Sequence, residues 1–277
     1  MIFPRAIALA ELAWTPAALR NYDHFLQRLR PQAALLKQLE VPWAANFDEV
    51  VSAGIKPSKG MVALSLYSSY PAAQIRYTID ASTPSIKSAL YTGPVVMKKS
   101  GTLKALAFDE RQKVIGRTYE QQVTVHKAIG AAVKLMNEPM ARWNPGKEVL
   151  VNGIAGVARY NDAQWLGFNG DNLEAVIDLG NAQTIRSVGM NLLNYHWQRI
   201  WAPVVLYIEV SEDGVQFRKV FTQKDFPVNG INRVRATFKP LTARYVKVTG
   251  INKGLLQPGD YGAGTKALLM IDEILID

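Results

Sequence analysis

The densest gathering of side chains with recognisable chemistry lies in Asn194-Tyr-His-Trp-Gln-Arg-Ile-Trp201. Tyr195 and Trp197 offer flat rings that stack on the C–H face of a pyranose. His196 and Arg199 offer hydrogen bonds of fixed geometry for neighbouring hydroxyls. Arg159 and Tyr160, in Arg159-Tyr160-Asn161, and Tyr261 lie in other Gly- and Asn-rich stretches and join the candidate set. A plainer reading stands beside this one. Trp197 and Trp201 would anchor loops, His196 would be an exposed imidazole, and Asp162, Gln164 and Trp165 would form a packed loop whose polar groups cap the backbone. Trp143, beside Pro145-Gly146, fits either role.

Other chemistries find less support. The chain has no cysteine and three histidines, and no Ser/His/Asp spacing converges on a nucleophile. Three Asp-Glu dipeptides occur: Asp48-Glu49 in an expected linker, Asp109-Glu110 in a turn and Asp272-Glu273 on an expected terminal strand. Lys and Arg total 32 against 23 acidic residues, for a net charge of +9. These cations are scattered, without the block that marks a phosphate-binding patch, so a solvated basic surface is expected and no nucleic-acid partner. No apolar run approaches the roughly 20 residues of a membrane span. Met1-Ile-Phe-Pro-Arg5 opens no signal-peptide pattern.

A chain of 277 residues exceeds the usual single domain, and its patterning changes twice. Pro4 opens an Ala/Leu-rich helix with little polar face, of the kind that neighbours normally bury. Thr15-Pro16 signals a second helix, with Leu19, Tyr22, Phe25, Leu26 and Leu29 on one stripe, which Pro31 kinks or ends. Leu35, Leu36 and Leu39 continue in a third short segment. From Met61 onward the chain reads as short alternating strands: Met61–Leu66, Ala73–Ile79, Gly101–Phe108 and Thr118–His126, with a polar tip at Asp109–Lys113. His126–Gly130 reads as a linker. Beyond it strands are expected at Leu173–Gly180, Ile185–Asn191, Val204–Val210, Phe217–Phe221, Arg233–Phe238, Arg244–Val248 and Leu268–Ile276. The expected fold class is mainly β, a short helical piece followed by two β-sandwiches.

Each part resembles a known family. Val149–Gly180, Tyr207–Gly214, Ala243–Val248 and Ile271–Ile276 resemble the discoidin (F5/8 type C) domain, the jelly-roll sandwich shared with carbohydrate-binding module family 32. Ile75–Asp80, Thr83-Pro84, Leu90–Val95 and Leu103–Ala107 resemble the C-terminal immunoglobulin-like domain of chitobiase. Pro4–Pro16, with Asn21-Tyr22-Asp23 and Phe25, is similar to the last unit of the glycoside hydrolase family 20 barrel, that of β-N-acetylhexosaminidases. The resemblance implies a barrel tail over 1–46, in which Arg5, Glu11 and Trp14 are structural, an immunoglobulin-like spacer over 47–127 and a discoidin-like module over 128–277. No Asp-Glu here follows the His-x-Gly-Gly of that enzyme family, so no catalytic residue is assigned and the chain is expected to be inactive by itself. It further implies a glycan partner of N-acetylhexosamine or galactose type, a bacterial periplasmic or surface location, and a structural calcium on Asn152 and Glu273. Against the calcium, Asn152 stands where an Asp is usual, and Glu273 could pair with a basic neighbour instead. Some discoidin domains bind anionic membranes or proteins, and Lys253-Gly-Leu-Leu-Gln257 offers an apolar spike for that. A purely structural appendage is the remaining alternative.

Overall fold

The computed structural model describes residues 2–42, 44, 48–70 and 72–277. Strand makes up 45% of the chain and helix 15%, so the protein is mainly β, with antiparallel sheets. It divides into two compact units. One holds Met1–Gly54, Ser65–Val95 and Thr102–Gln121; the other holds Ile55–Leu64, Val96–Gly101 and Gln122–Asp277.

The first unit begins with α1 (Arg5–Trp14) and α2 (Tyr22–Gln38). Burial of α1 was the expectation from its composition, yet none of its residues is buried and Trp14 is 87% exposed. The second helix does not start at Thr15-Pro16. Pro16 is extended, with ψ 141°, and opens only a 3-10 turn over Ala17–Leu19. The cap is Asn21, whose side-chain oxygen accepts the His24 N–H at 3.0 Å. Nor does Pro31 end the helix. It removes one backbone donor, but Leu26, Leu29 and Ala33 form a buried stripe on both sides of it, and α2 absorbs the expected third segment. Arg30 fixes α2 through a two-pronged contact with Asp48, at 3.2 and 2.8 Å, and a 2.7 Å bond to the Ser69 carbonyl. Asp48 is therefore a buried counter-ion and not a linker residue. Trp43 and residues 45–47, with the domain boundary expected at 46/47, lie outside the described residues.

Three strands, β1 (Val51–Ser58), β2 (Met61–Tyr67) and β5 (Val95–Met97), form a sheet in the order β1-β2-β5 and contribute residues to both units. β1 escapes sequence reading because Gly54 and Pro57 interrupt a largely exposed strand. The first unit's other sheet has the order β4-β3-β6-β7, from β3 (Gln74–Thr78), β4 (Ala89–Leu90), β6 (Gly101–Phe108) and β7 (Val114–Val123). Asp109 closes the β6–β7 tip, its carboxylate accepting the Arg111 and Lys113 N–H groups at 2.9 and 2.8 Å.

The second unit is organised by two strands of 22 residues, β10 (Leu173–Asn194) and β13 (Gly230–Ile251), each occupying the place of two expected strands. Leu173–Asp178 pairs with Tyr245–Gly250, and Ser187–Asn194 pairs with Gly230–Thr237. Register shifts separate the two arms, between Asp178 and Gln183 and between Ile185 and Ser187. Leu173, Ala175 and Ile177 of the first arm share one core with Val188, Met190 and Leu192 of the second, so the sheet doubles over on itself in two layers. The strands β8 (Ala132–Leu135) and β11 (Val205–Ser211) extend the first arm, β12 (Arg218–Gln223) follows β11, and β14 (Leu268–Ile276) with β9 (Leu166–Asn169) extends the second. His126–Gly130 is no solvated linker: His126, Ala128 and Ile129 are buried in this unit. A smaller apolar cluster of Trp165, Leu193, Ile200 and Met270 lies apart from the main core.

Candidate functional site

The small cluster is the foundation of an aromatic row. Trp143, Tyr160 and Tyr195 pack against it. Ring centroids are 5.5 Å apart from Trp143 to Tyr160, 6.1 Å from Tyr160 to Tyr195 and 6.4 Å from Tyr195 to Trp197. Trp197, at the end, is 63% exposed. Of the sequence candidates, the structure thus brings Tyr160, Tyr195 and Trp197 together and adds Trp143. Trp143, which as sequence fits either role, has its ring placed by packing on Gly167, where a Cβ would stand 2.8 Å from that of Trp143.

His196 departs from the row. Its imidazole stacks on Trp201 with centroids 3.7 Å apart, and Lys253 Nζ lies 3.7 Å from the same indole. Partial burial, and then the Lys253 charge, hold the His196 pKa below the ordinary imidazole value. Trp201 is thereby covered by protein groups, leaving Trp197 as the free indole of this turn. Arg199 is exposed in a left-handed conformation, φ 60°, and its stem lies against Gly262, where a Cβ would come within 2.5 Å. That contact brings the 195–200 turn beside the loop carrying Tyr261, which is 66% exposed. Arg159 is exposed next to Tyr160 in the chain.

Three buried polar devices hold these loops. The first ties 152–165 to β14. Asp272 accepts the Gly156 N–H at 2.8 Å, the Asn191 N–H at 3.1 Å and the Asn191 amide at 2.7 Å. Burial pushes the Asp272 carboxyl up to about 7, against the opposing pull of these donors. Within the loop, Asp162 accepts from Val157 and Gln164, and the Trp165 indole donates to the Val157 carbonyl at 3.1 Å. Asp162, Gln164 and Trp165 are the packed, backbone-capping group of the plainer reading. The second device is the 195–200 turn, closed by reciprocal Tyr195 and Ile200 backbone bonds at 2.9 and 3.1 Å. The third is Asn252, whose amide donates to the carbonyls of Phe168, Asp171 and Ala267 while Lys253 and Asp260 pair at 2.6 Å. Leu256 is buried and Leu255 alone is exposed, so the two-leucine spike reduces to one side chain.

The expected calcium ligands meet a different chemistry. Glu273 receives His126 Nε2 at 2.7 Å and the Asn152 N–H at 3.2 Å. His126 Nδ1 accepts the N–H groups of Ala128 and Ile276, so Nε2 carries the hydrogen and donates it. The Asn152 side-chain oxygen accepts from Ile154 at 2.8 Å, and its amide donates to Gln164 at 2.9 Å. Calcium takes 6–8 oxygen ligands, whereas here N–H groups converge on the carboxylate. This donor set does not fit the ion. The basic partner of Glu273 is His126, not a Lys or Arg. Burial raises the Glu273 pKa and His126 opposes that rise. Among the described residues no group of three or more His, Asp or Glu side chains stands together as a metal site would need.

A cleft of about 500 Å³ lies on the outer face of β8, β10 and β13, lined by residues including Val176, Phe217 and Tyr245. Two of its charged groups are already paired, Asp178 with Arg244 at 2.8 Å and Lys247 with Glu209 at 3.4 Å. It contains no ring of the aromatic row.

Residues 52–128 match the model of the chitobiase/beta-hexosaminidase C-terminal domain, and residues 141–264 match that of the F5/8 type C domain. The chain carries these two domains, in that order. No curated protein matches it. Solved structures similar to it include chitosan-binding module 1 from a chitosanase/glucanase of Paenibacillus sp. IK-5, at 19% identity and TM-score 0.37, covering 55% of this chain and 98% of that one. Another is a fucose-binding module of Streptococcus pneumoniae, at 13% identity and TM-score 0.37, covering 55% and 96%. A third is the family 32 module of AlyQ in complex with 4,5-unsaturated mannuronic acid, at 19% identity and TM-score 0.36, covering 53% and 93%.

Proposed function

We propose that the F5/8 type C domain is a glycan-binding module and that the row Trp143, Tyr160, Tyr195 and Trp197 is its stacking surface. The observation that carries this reading is the row itself: an indole 63% exposed at the end of a line of rings, seated on a small core built beneath it. A single exposed indole is ordinary, but one continuous with a row of rings forms an apolar patch of the kind that marks interaction sites. The family resemblance supports N-acetylhexosamine or galactose units as the sugars stacked there. Arg199, Arg159 and Tyr261 stand beside the row to bond hydroxyls, while His196 supports Trp201.

In this reading the chain is the non-catalytic C-terminal part of a β-N-acetylhexosaminidase-like protein of the bacterial periplasm or surface. An immunoglobulin-like spacer stands ahead of a jelly-roll module, and binding raises the effective concentration of an enzyme near its polymer. The helices fit the tail of a barrel: Trp14, Leu9, Leu12, Leu19 and Tyr22 are all exposed, an apolar surface that a partner layer would cover. The full chain, titrated against a glycan panel beside Trp197→Ala and Tyr160→Ala, is expected to bind a pyranose ligand that both variants lose. It should release no N-acetylglucosamine from chito-oligosaccharides. Binding that survives both substitutions would remove the row from the site.

A further inference from the structure

The charges around the row select among glycans. Asp162, Asp260 and the exposed Glu148 lie on its loops, and the first two are engaged. Asp162 accepts the Val157 and Gln164 N–H groups, and Asp260 holds Lys253 and the Gln257 N–H. Three arginines are placed otherwise. Arg142 lies with its guanidinium 5.3 Å from the Trp143 ring, at one end of the row. Arg159 is exposed beside Tyr160, and Arg199 is exposed in the turn that presents Trp197. Among the described residues none of the three has an ion-pair partner, so each guanidinium is free to meet a ligand. A glycan lying along the rings therefore meets three exposed guanidinium groups, while Asp162 and Asp260 are already occupied. The planar fork of Arg matches carboxylate and sulfate oxygens in a two-pronged contact, and it attracts an anion more strongly than a hydroxyl.

We infer that the ligand of this module is an acidic glycan, a pyranose chain bearing carboxylate or sulfate groups, which Arg142, Arg159 and Arg199 recognise beside the aromatic row. This rests on the glycan-binding reading above and narrows it. Neutral units stack on the rings, and the anionic substituents decide which polymer is held. A glucosamine polymer, cationic when deacetylated, is disfavoured by the same field.

The test is isothermal titration of the full chain with matched oligosaccharides: neutral galactan, oligogalacturonate, sulfated galactan and deacetylated chito-oligosaccharide. Anionic phospholipid vesicles form a separate arm. Either acidic ligand is expected to bind about tenfold or more tightly than its neutral counterpart, and which of the two does so separates carboxylate from sulfate recognition. The advantage should shrink as salt is raised past the point where the Debye length is about 10 Å. Substituting each arginine by Gln should lower the acidic-to-neutral affinity ratio by roughly 3- to 10-fold. Equal or tighter binding of the neutral ligand, or a ratio unmoved by all three substitutions, overturns the inference. If neutral sugar binding is nonetheless lost in Trp197→Ala, the glycan-binding reading survives that failure. Binding to the vesicles with silence on every glycan overturns both.

Discussion

Replacing His126 by Ala tests how the second unit is tied together. The imidazole is fully buried and makes three contacts: Nε2 donates to Glu273 at 2.7 Å, and Nδ1 accepts from Ala128 at 3.3 Å and Ile276 at 3.4 Å. The substitution leaves a buried carboxylate without its side-chain donor and two backbone N–H groups without an acceptor. Removing one member of such a buried pair costs about 3–5 kcal/mol. For a domain of this size each kcal/mol moves the midpoint by about 2–4 °C, which gives a fall of roughly 6–20 °C. Glu273→Gln should cost less, about 1–3 kcal/mol, since the amide oxygen still accepts from Nε2 while the desolvated charge disappears. Thermal melts followed by tryptophan fluorescence report this, since Trp165 is buried close to the loop that Glu273 helps hold. Calcium or a chelator should leave the wild-type midpoint unchanged, because N–H groups surround the carboxylate. A His126→Ala midpoint within about 1 °C of wild type would refute the reasoning. So would a calcium-dependent rise of several degrees.

Asp272 supplies a pH dependence of definite sign. Its folded value, about 7, lies above the ordinary carboxyl value, so the native state binds the proton more tightly than the unfolded chain. The stability it contributes is fully present below about pH 4 and is lost as pH rises through 7, on the order of 4 kcal/mol across that window. Asn191 Oδ1, buried with no partner, becomes an acceptor for the protonated acid once its amide turns over. Urea titrations from pH 4 to 8 at constant ionic strength should show the decline, and Asp272→Asn should flatten it; identical slopes would be evidence against. Gly262→Ala combines a φ of +83° with a Cβ 2.5 Å from the Arg199 stem. It should cost about 1 kcal/mol and displace Arg199, reducing glycan affinity in titration. Gly156→Ala meets something stiffer, the Trp165 indole at 2.3 Å. About 1–3 kcal/mol of overpacking is expected, with weaker glycan binding because the loop bearing Tyr160 is lifted.

The residue types at the rim were readable from sequence, and so was their gathering on loops. Stacking rings and arginines are distinctive, and the Gly- and Asn-rich composition around them marks turns. Which ring faces outward was not readable. Trp197 and Trp201 have equal claims as a sequence, and only the His196 and Lys253 contacts decide that Trp201 is the covered one. The strands were placed but cut short, because alternation of apolar and polar residues breaks at Asn181–Thr184 and Lys239–Thr242, where the register of the sheet shifts. His126 was misassigned for a different reason. Its partner lies 147 residues away, and no local pattern announces a contact at that separation. Asp272 was likewise seen as a dipeptide on a strand, and its engagement with Gly156 and Asn191 needs the fold.

The polar groups of this end of the module divide cleanly by task, and that division bears on how it binds. Asn152, Asp162, Asn252 and Asp260 on the loops and Asp272 and Glu273 on β14 are each engaged by backbone or side-chain groups of the protein. Tyr160, Ala163 and Arg199 are held at positive φ, 45°, 60° and 60°, conformations that ordinary side chains avoid and that the surrounding bonds must enforce. A loop fixed so thoroughly loses little freedom when a ligand arrives, which favours binding by pre-organisation. It also keeps the engaged carboxylates and amides from a sugar. Ring faces and guanidinium donors then carry most of the grip, and a rim rich in donors discriminates by the acceptors it is offered. Oxygen-rich anionic substituents supply those acceptors best, so the rigidity of the loops and the proposed preference for acidic glycans rest on the same assignment of polar groups.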